Sequence, residues 1–248
     1  MDLILRQSTS RPRFVMALCL VVIMLVSTAY LWMAAGGTLA GIVTVLCGPA
    51  ANAGLMPLLA MWLAMTLAMM TPAAAPMIQT YLDIAEAAAA KQMTIVPPLV
   101  LAAGYGAVWL VFALAAALAQ WGLLEAGHAG VFEGRWAALV LIGAGAYQFT
   151  SLKHACLSKC RMPMPYFMAR WTDRPFGVFR MGLAQGLNCF GCCWALMGLG
   201  FAAGLMNIVW MGFIGLVMVL EKTLPQPKAL SYGIGLGLVA AGLYILVI

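Results

Sequence analysis

Long apolar runs, separated by short polar or basic stretches, set the pattern of this chain. The runs fall near residues 14–33, 55–71, 95–121, 136–152, 181–203, 207–220 and 229–248. A helix needs about 20 apolar residues to cross a hydrocarbon core about 30 Å thick, and most of these runs reach that length. Strands of a barrel would alternate apolar and polar positions every second residue, which unbroken runs exclude. The expectation is an all-α fold: a single domain, residues 1–248, built as a polytopic transmembrane helical bundle of about seven spans. The run at 207–220 is short, so six is the alternative count. The first run follows Arg6, Arg11 and Arg13 and is too long for the apolar part of a signal peptide. It reads as an uncleaved span.

The punctuation between runs is informative. Pro72 and Pro76 remove backbone donors and should kink or end the second span. Residues 77–93, with Asp83, Glu86 and Lys91, should then form a separate amphipathic helix along the interface. Pro97 and Pro98 suit the first turn of the third span, which reads as scaffold because it holds no ligand-type residue. The glycines of the last span, Gly233, Gly235 and Gly237, favour close helix packing. Glu221 and Lys222 end the sixth span and could pair there.

Composition strengthens this reading. The chain of 248 residues is 65% hydrophobic and only 8% charged, with a mean hydropathy of +1.01. The net charge of +6 does not mark a nucleic-acid protein, because its basic residues sort to one membrane side. With the N-terminus in the cytoplasm, twelve of the thirteen basic residues lie on the cytoplasmic side and only Arg135 lies outside. The positive-inside rule therefore selects that orientation. The bilayer is the first partner implied, and nucleic acid is not one.

Candidate chemistry rests on sulfur. Seven cysteines in a chain with few loops do not make a disulfide framework. Cys19 sits inside the first span and Cys47 alone in a loop, but the other five cluster. Cys192 and Cys193 follow Cys189 by three and four residues, so on a helix all three share one face. Gly186 and Gly191 on the same segment would let another helix approach closely. Cys156 and Cys160 are four apart and can share a metal. His154 lies about 200° around the same helix from Cys156, so it converges with them only if the helix breaks. Met61, Met65 and Met69 form a stripe along the second span, which flexible core packing would also explain. His128, between Glu125 and Glu133, reads as a solvated loop residue.

At a rise of about 1.5 Å per residue, Cys189–Cys193 lie about 14–20 Å below one rim and Met61 and Met65 about 9–15 Å below the other. In a core about 30 Å thick these are nearly one layer. Thiolate and thioether sulfur select Cu(I), with zinc the lesser alternative because it gathers four ligands. The candidate metal ligands are Cys189, Cys192 and Cys193, with Met61, Met65 and Met69 as softer partners. His154, Cys156 and Cys160 form an intake station nearer the cytoplasmic rim. Catalytic residues are not expected. No acid lies mid-span, which disfavours a proton-coupled pump, and no nucleotide-binding signature is present.

Three motifs in order carry a family likeness. They are Trp62-x-x-Met65-x-x-Ala68-Met69-Met70-x-Pro72, then Tyr147-Gln148…Lys153-x-x-Cys156-x-x-x-Cys160-Arg161-x-Pro163, then Cys189-x-Gly191-Cys192-Cys193-Trp194-x-Leu196-Met197. Together they resemble the DUF2182 family of bacterial integral membrane proteins, described as metal-binding and copper-chaperone-like. The resemblance implies a bacterial cytoplasmic (inner) membrane protein that is not an enzyme. It would handle Cu(I) and deliver it to a membrane cuproenzyme or that enzyme's assembly factors. Two other readings compete. The cysteines could merely pack in an accessory or assembly subunit, or Cys189-x-x-Cys192 could be the pair of a membrane thiol-disulfide oxidoreductase.

Overall fold

The structure, a computed structural model, describes Leu25 and residues 54–127, 134–201, 208–224 and 227–247. Apart from Leu25, the predicted first span lies outside these residues, as do Cys19, Cys47, His128 and Glu133. The described chain is helical throughout and contains no strand. In chain order it forms α1 (Leu55–Ala89), α2 (Pro98–Glu125), α3 (Gly134–Tyr147), α4 (Ser151–Arg161) and α5 (Pro163–Ala169). Then come α6 (Pro175–Gly198), a 3-10 turn (Leu199–Phe201), α7 (Ile208–Thr223) and α8 (Pro227–Val247).

Among the described residues, three helices rather than seven are long and apolar enough to cross a membrane: α1, α2 and α8. The others fall short for identifiable reasons. With 14 and 16 residues, α3 and α7 extend only about 21 and 24 Å against a core of about 30 Å. The run at 136–152 does not continue as one helix. It breaks after Tyr147, and Thr150 caps a new helix by accepting from the Lys153 backbone N–H at 3.3 Å. The third long helix at the centre of the bundle, α6, carries Arg180, Gln185 and Asn188 among its apolar residues.

The prolines of α1 neither end it nor split off an interfacial helix. Pro72 and Pro76 sit inside one helix of 35 residues, about 52 Å long at the usual rise. Tertiary burial overrides the local cost. Met77, Ile78, Tyr81, Leu82, Ala85 and Ala88 are all buried, and the Tyr81 hydroxyl donates to Val96 O at 2.8 Å. The segment expected to lie on the interface is a packed extension of the second span. Pro97 and Pro98 do occupy the start of α2.

Glycines set the closest helix approaches. On the α2–α6 seam, a side chain at Gly104 would strike Phe179 O, and one at Gly182 would strike Leu101 O. Gly182 and Gly186 are four residues apart, the small-xxx-small spacing of tightly packed membrane helices. On the α3–α8 seam, Gly145 and Gly235 meet backbone to backbone, whereas Gly233 and Gly237 face open space. The α2–α6 seam and the approach of Cys156 to Gly191 hold α6 with one face toward α2 and another toward α4, so its cysteines turn inward.

Candidate metal centre

The site begins with two helices brought side by side. From α6, Cys189, Cys192 and Cys193 are all essentially inaccessible to solvent. From α4, Cys156 and Cys160 point toward α6, and the Cys156 sulfur occupies the space that a side chain at Gly191 would fill. Gly191 therefore lets α4 pack directly on the cysteine helix. Tyr147 at the end of α3 adds a clamp: its hydroxyl donates to Gly191 O, and its ring meets Trp194 edge-on at 5.1 Å.

Three sulfurs converge. The Sγ atoms of Cys160, Cys189 and Cys192 all lie within 4.8 Å of one another. Three sulfurs around one ion at a metal–sulfur distance of about 2.3 Å would stand about 4.0 Å apart, so small shifts would let this set grip a cation. The set contains no nitrogen or carboxylate donor. All five described cysteines are free thiols. Cys193 lies outside this set, although its thiol donates to Cys189 O at 2.8 Å just as Cys192 donates to the same carbonyl at 3.1 Å. Such back-bonding to the preceding turn satisfies a buried thiol without moving the helix.

Around Cys189 the cluster is polar on two sides. The Tyr105 hydroxyl lies 3.1 Å from Cys189 Sγ and reaches Met70 O at 3.4 Å, tying α2 to α1 and α6 at one point. The Lys222 ammonium donates to Cys189 Sγ at 3.1 Å. Neither residue stood out in the sequence. Tyr105 lies in a helix that reads as scaffold, and Lys222 reads as a partner for Glu221. The available signal was Lys222 itself, a charge at the end of an apolar run, where only a polar partner makes burial tolerable.

The other sequence candidates are distributed unevenly. Met65 and Met69 are buried in the same core as the cysteines, and Met61 is partly buried at its edge. Met69 packs against Gly215 of α7. His154 does not join the sulfurs, because α4 is unbroken from Ser151 to Arg161. Its ring instead meets Tyr232 of α8 edge-on at 5.3 Å. Both ring nitrogens are shielded from solvent and carry no hydrogen-bond partner among the described residues. Burial first, then the charges of Lys153 and Lys228, hold its pKa below the ordinary imidazole value, which leaves it neutral at pH 7.

Immediately beside the cluster lies a polar network of another kind. Lys153 and Glu221 form an ion pair at 2.6 Å with side chains 0% and 2% exposed. Gln148 accepts from Lys153, and Ser231 donates to Glu221 at 2.6 Å. Arg161 reaches Glu221 O at 3.4 Å. The pair joins α4 to α7, and Ser231 brings in α8.

No curated protein and no solved structure matches the chain. A family match spans residues 59–245, which covers every helix of the site and about three quarters of the chain; its description is PpoB2, copper chaperone. The chain belongs to the PpoB2 copper chaperone family.

Proposed function

We propose that this chain is an integral membrane protein of the bacterial cytoplasmic membrane that binds Cu(I) through Cys160, Cys189 and Cys192 and passes it to a membrane cuproenzyme or its assembly factors. The observation that carries the reading is the convergence of three thiols, the buried Cys189 and Cys192 of α6 and the half-buried Cys160 of α4, to within 4.8 Å of one another. Soft sulfur donors suit Cu(I), which accepts two or three ligands, whereas structural zinc sites gather four. The three motifs that resemble DUF2182 all fall inside the residues matched to the copper chaperone family, and three helices are long and apolar enough to cross a membrane. Met65 and Met69 stand in the same core as softer partners. In this reading Cys156 and Cys193 support the site, and His154 lies outside it. The N-terminus lies in the cytoplasm, as the distribution of basic residues favours.

Anaerobic Cu(I) titration of detergent-purified protein against a chromophoric chelator tests the reading. The wild type should take up about one copper per chain, and Cys160→Ser, Cys189→Ser and Cys192→Ser should each weaken binding at least about ten-fold, as loss of one of three ligands implies. Cys193→Ser should bind like the wild type. Undiminished copper in the Cys160/Cys189/Cys192 triple serine variant would remove the reading.

A further inference from the structure

Behind the cysteine cluster the surface folds into a recess of about 400 Å³. Its wall includes His154, Ser158, Arg161, Met162, Lys222 and Lys228, and no acidic side chain. One of these residues connects it directly to the sulfurs. Lys222 lines the recess and also donates to Cys189 Sγ at 3.1 Å, and Arg161 follows Cys160 in sequence. Glu221, next to Lys222 in the chain, has its charge offset by the Lys153 ammonium. The positive charge of Arg161, Lys222 and Lys228 is therefore uncompensated among the described residues.

A recess of one sign focuses the field and concentrates ions of the opposite sign. Bare copper ions would be repelled from this opening. We propose that the recess is the port through which the cluster is loaded, and that it admits Cu(I) as an anionic complex with small thiolates. This inference rests on the copper reading given above and adds to it the chemical form in which the cargo arrives.

The exchange balances without further reagents. Cu(I) held by two carrier thiolates carries a net charge of minus one at the metal centre. Two Cu–S bonds to the carriers break and two form to cluster thiols, while the third cysteine completes the set as a neutral thiol that keeps its proton. Each of the first two thiols gives its proton to a departing carrier sulfur, and copper stays Cu(I). The charge at the metal is minus one before and after. The Lys222 ammonium can offset it throughout, which limits the cost of holding a charged complex in a dry interior. Met162 in the wall and the unpartnered imidazole of His154 offer further donor atoms along the way in.

The test compares two carriers on the full-length protein in detergent, under anaerobic conditions. One supplies Cu(I) as its anionic glutathione complex and the other as its cationic acetonitrile complex. Lys228→Glu and the Arg161→Gln/Lys228→Gln double variant should load from glutathione about ten-fold more slowly than wild type, by loss of steering. Added salt should narrow that gap. Final copper content should match wild type, and loading from the acetonitrile complex should not slow. Equal slowing with both carriers, or unchanged loading from glutathione, would overturn the port. Phosphatidylglycerol that blocks glutathione loading in wild type but not in Lys228→Glu would assign the recess to lipid headgroups instead. Failure of wild type to take copper from either carrier would remove the copper reading itself, and the port with it.

Discussion

Glu221 and Lys222 are neighbours on α7, yet they serve opposite kinds of surroundings. Glu221 closes a buried network in which it accepts from Lys153 and Ser231 while Gln148 also accepts from Lys153. Lys222 reaches into a cluster whose partners are thiols, with two more cysteine sulfurs close by. A satisfied ionic network is a fastener, since breaking it leaves a bare charge in a low dielectric. A cluster of free thiols around one ammonium holds its protons in weak hydrogen bonds, which a soft cation could displace at small cost. The two regions are separated by one peptide unit and should respond to mutation in opposite currencies, stability for one and metal for the other.

The largest effect should come from breaking the fastener. Lys153→Met strands Glu221 and should cost about 3–5 kcal/mol, read as a lowered midpoint in detergent denaturation. The Lys153→Met/Glu221→Met double variant should recover most of that loss, and copper stoichiometry should be retained. A double variant as unstable as the single one would show that the network does more than satisfy its own charges. Next in size is Gly191→Ala, whose new methyl group would overlap the Cys156 sulfur. It should cost about 1–3 kcal/mol and also weaken copper binding, because it moves α4 and Cys160 away from α6. If stability fell and copper binding did not, the cluster would tolerate more slack than three converging sulfurs imply. The smallest effect belongs to Tyr105→Phe, which removes hydroxyl contacts to Cys189 Sγ and Met70 O at about 1 kcal/mol. Copper affinity should change only slightly, since the thiol supplies the metal bond and the hydroxyl merely orients it.

How much of this was legible beforehand depended on whether a feature was local. The spacing of Cys189, Cys192 and Cys193 predicts one face, and all three are buried on α6. Gly191 was expected to admit a neighbouring helix, and α4 fills that place. The grouping of sulfurs was not local. Cys160 and Cys189 are far apart in sequence, so the joining of two stations into one cluster depends on the α4–α6 approach. The same helix continuity that aligns Cys156 with Cys160 turns His154 away toward Tyr232. Span prediction failed where composition hid a break. Tyr147–Ser151 reads as the end of one apolar run, yet Thr150 starts a new helix there, and that turn aims α4 at the cysteines. At Pro72 and Pro76 the error ran the other way, because burial on both sides of the prolines carries the helix through them.

By itself, the amino-acid order determined the helical class and the chemical softness of the donors, since hydropathy and side-chain type need no partner to be read. Only the tertiary structure decided which sulfurs meet, that Lys222 joins them and that Glu221 does not. Those choices depend on backbone approaches of a few ångströms at Gly104, Gly182 and Gly191, where a side chain would force the helices apart.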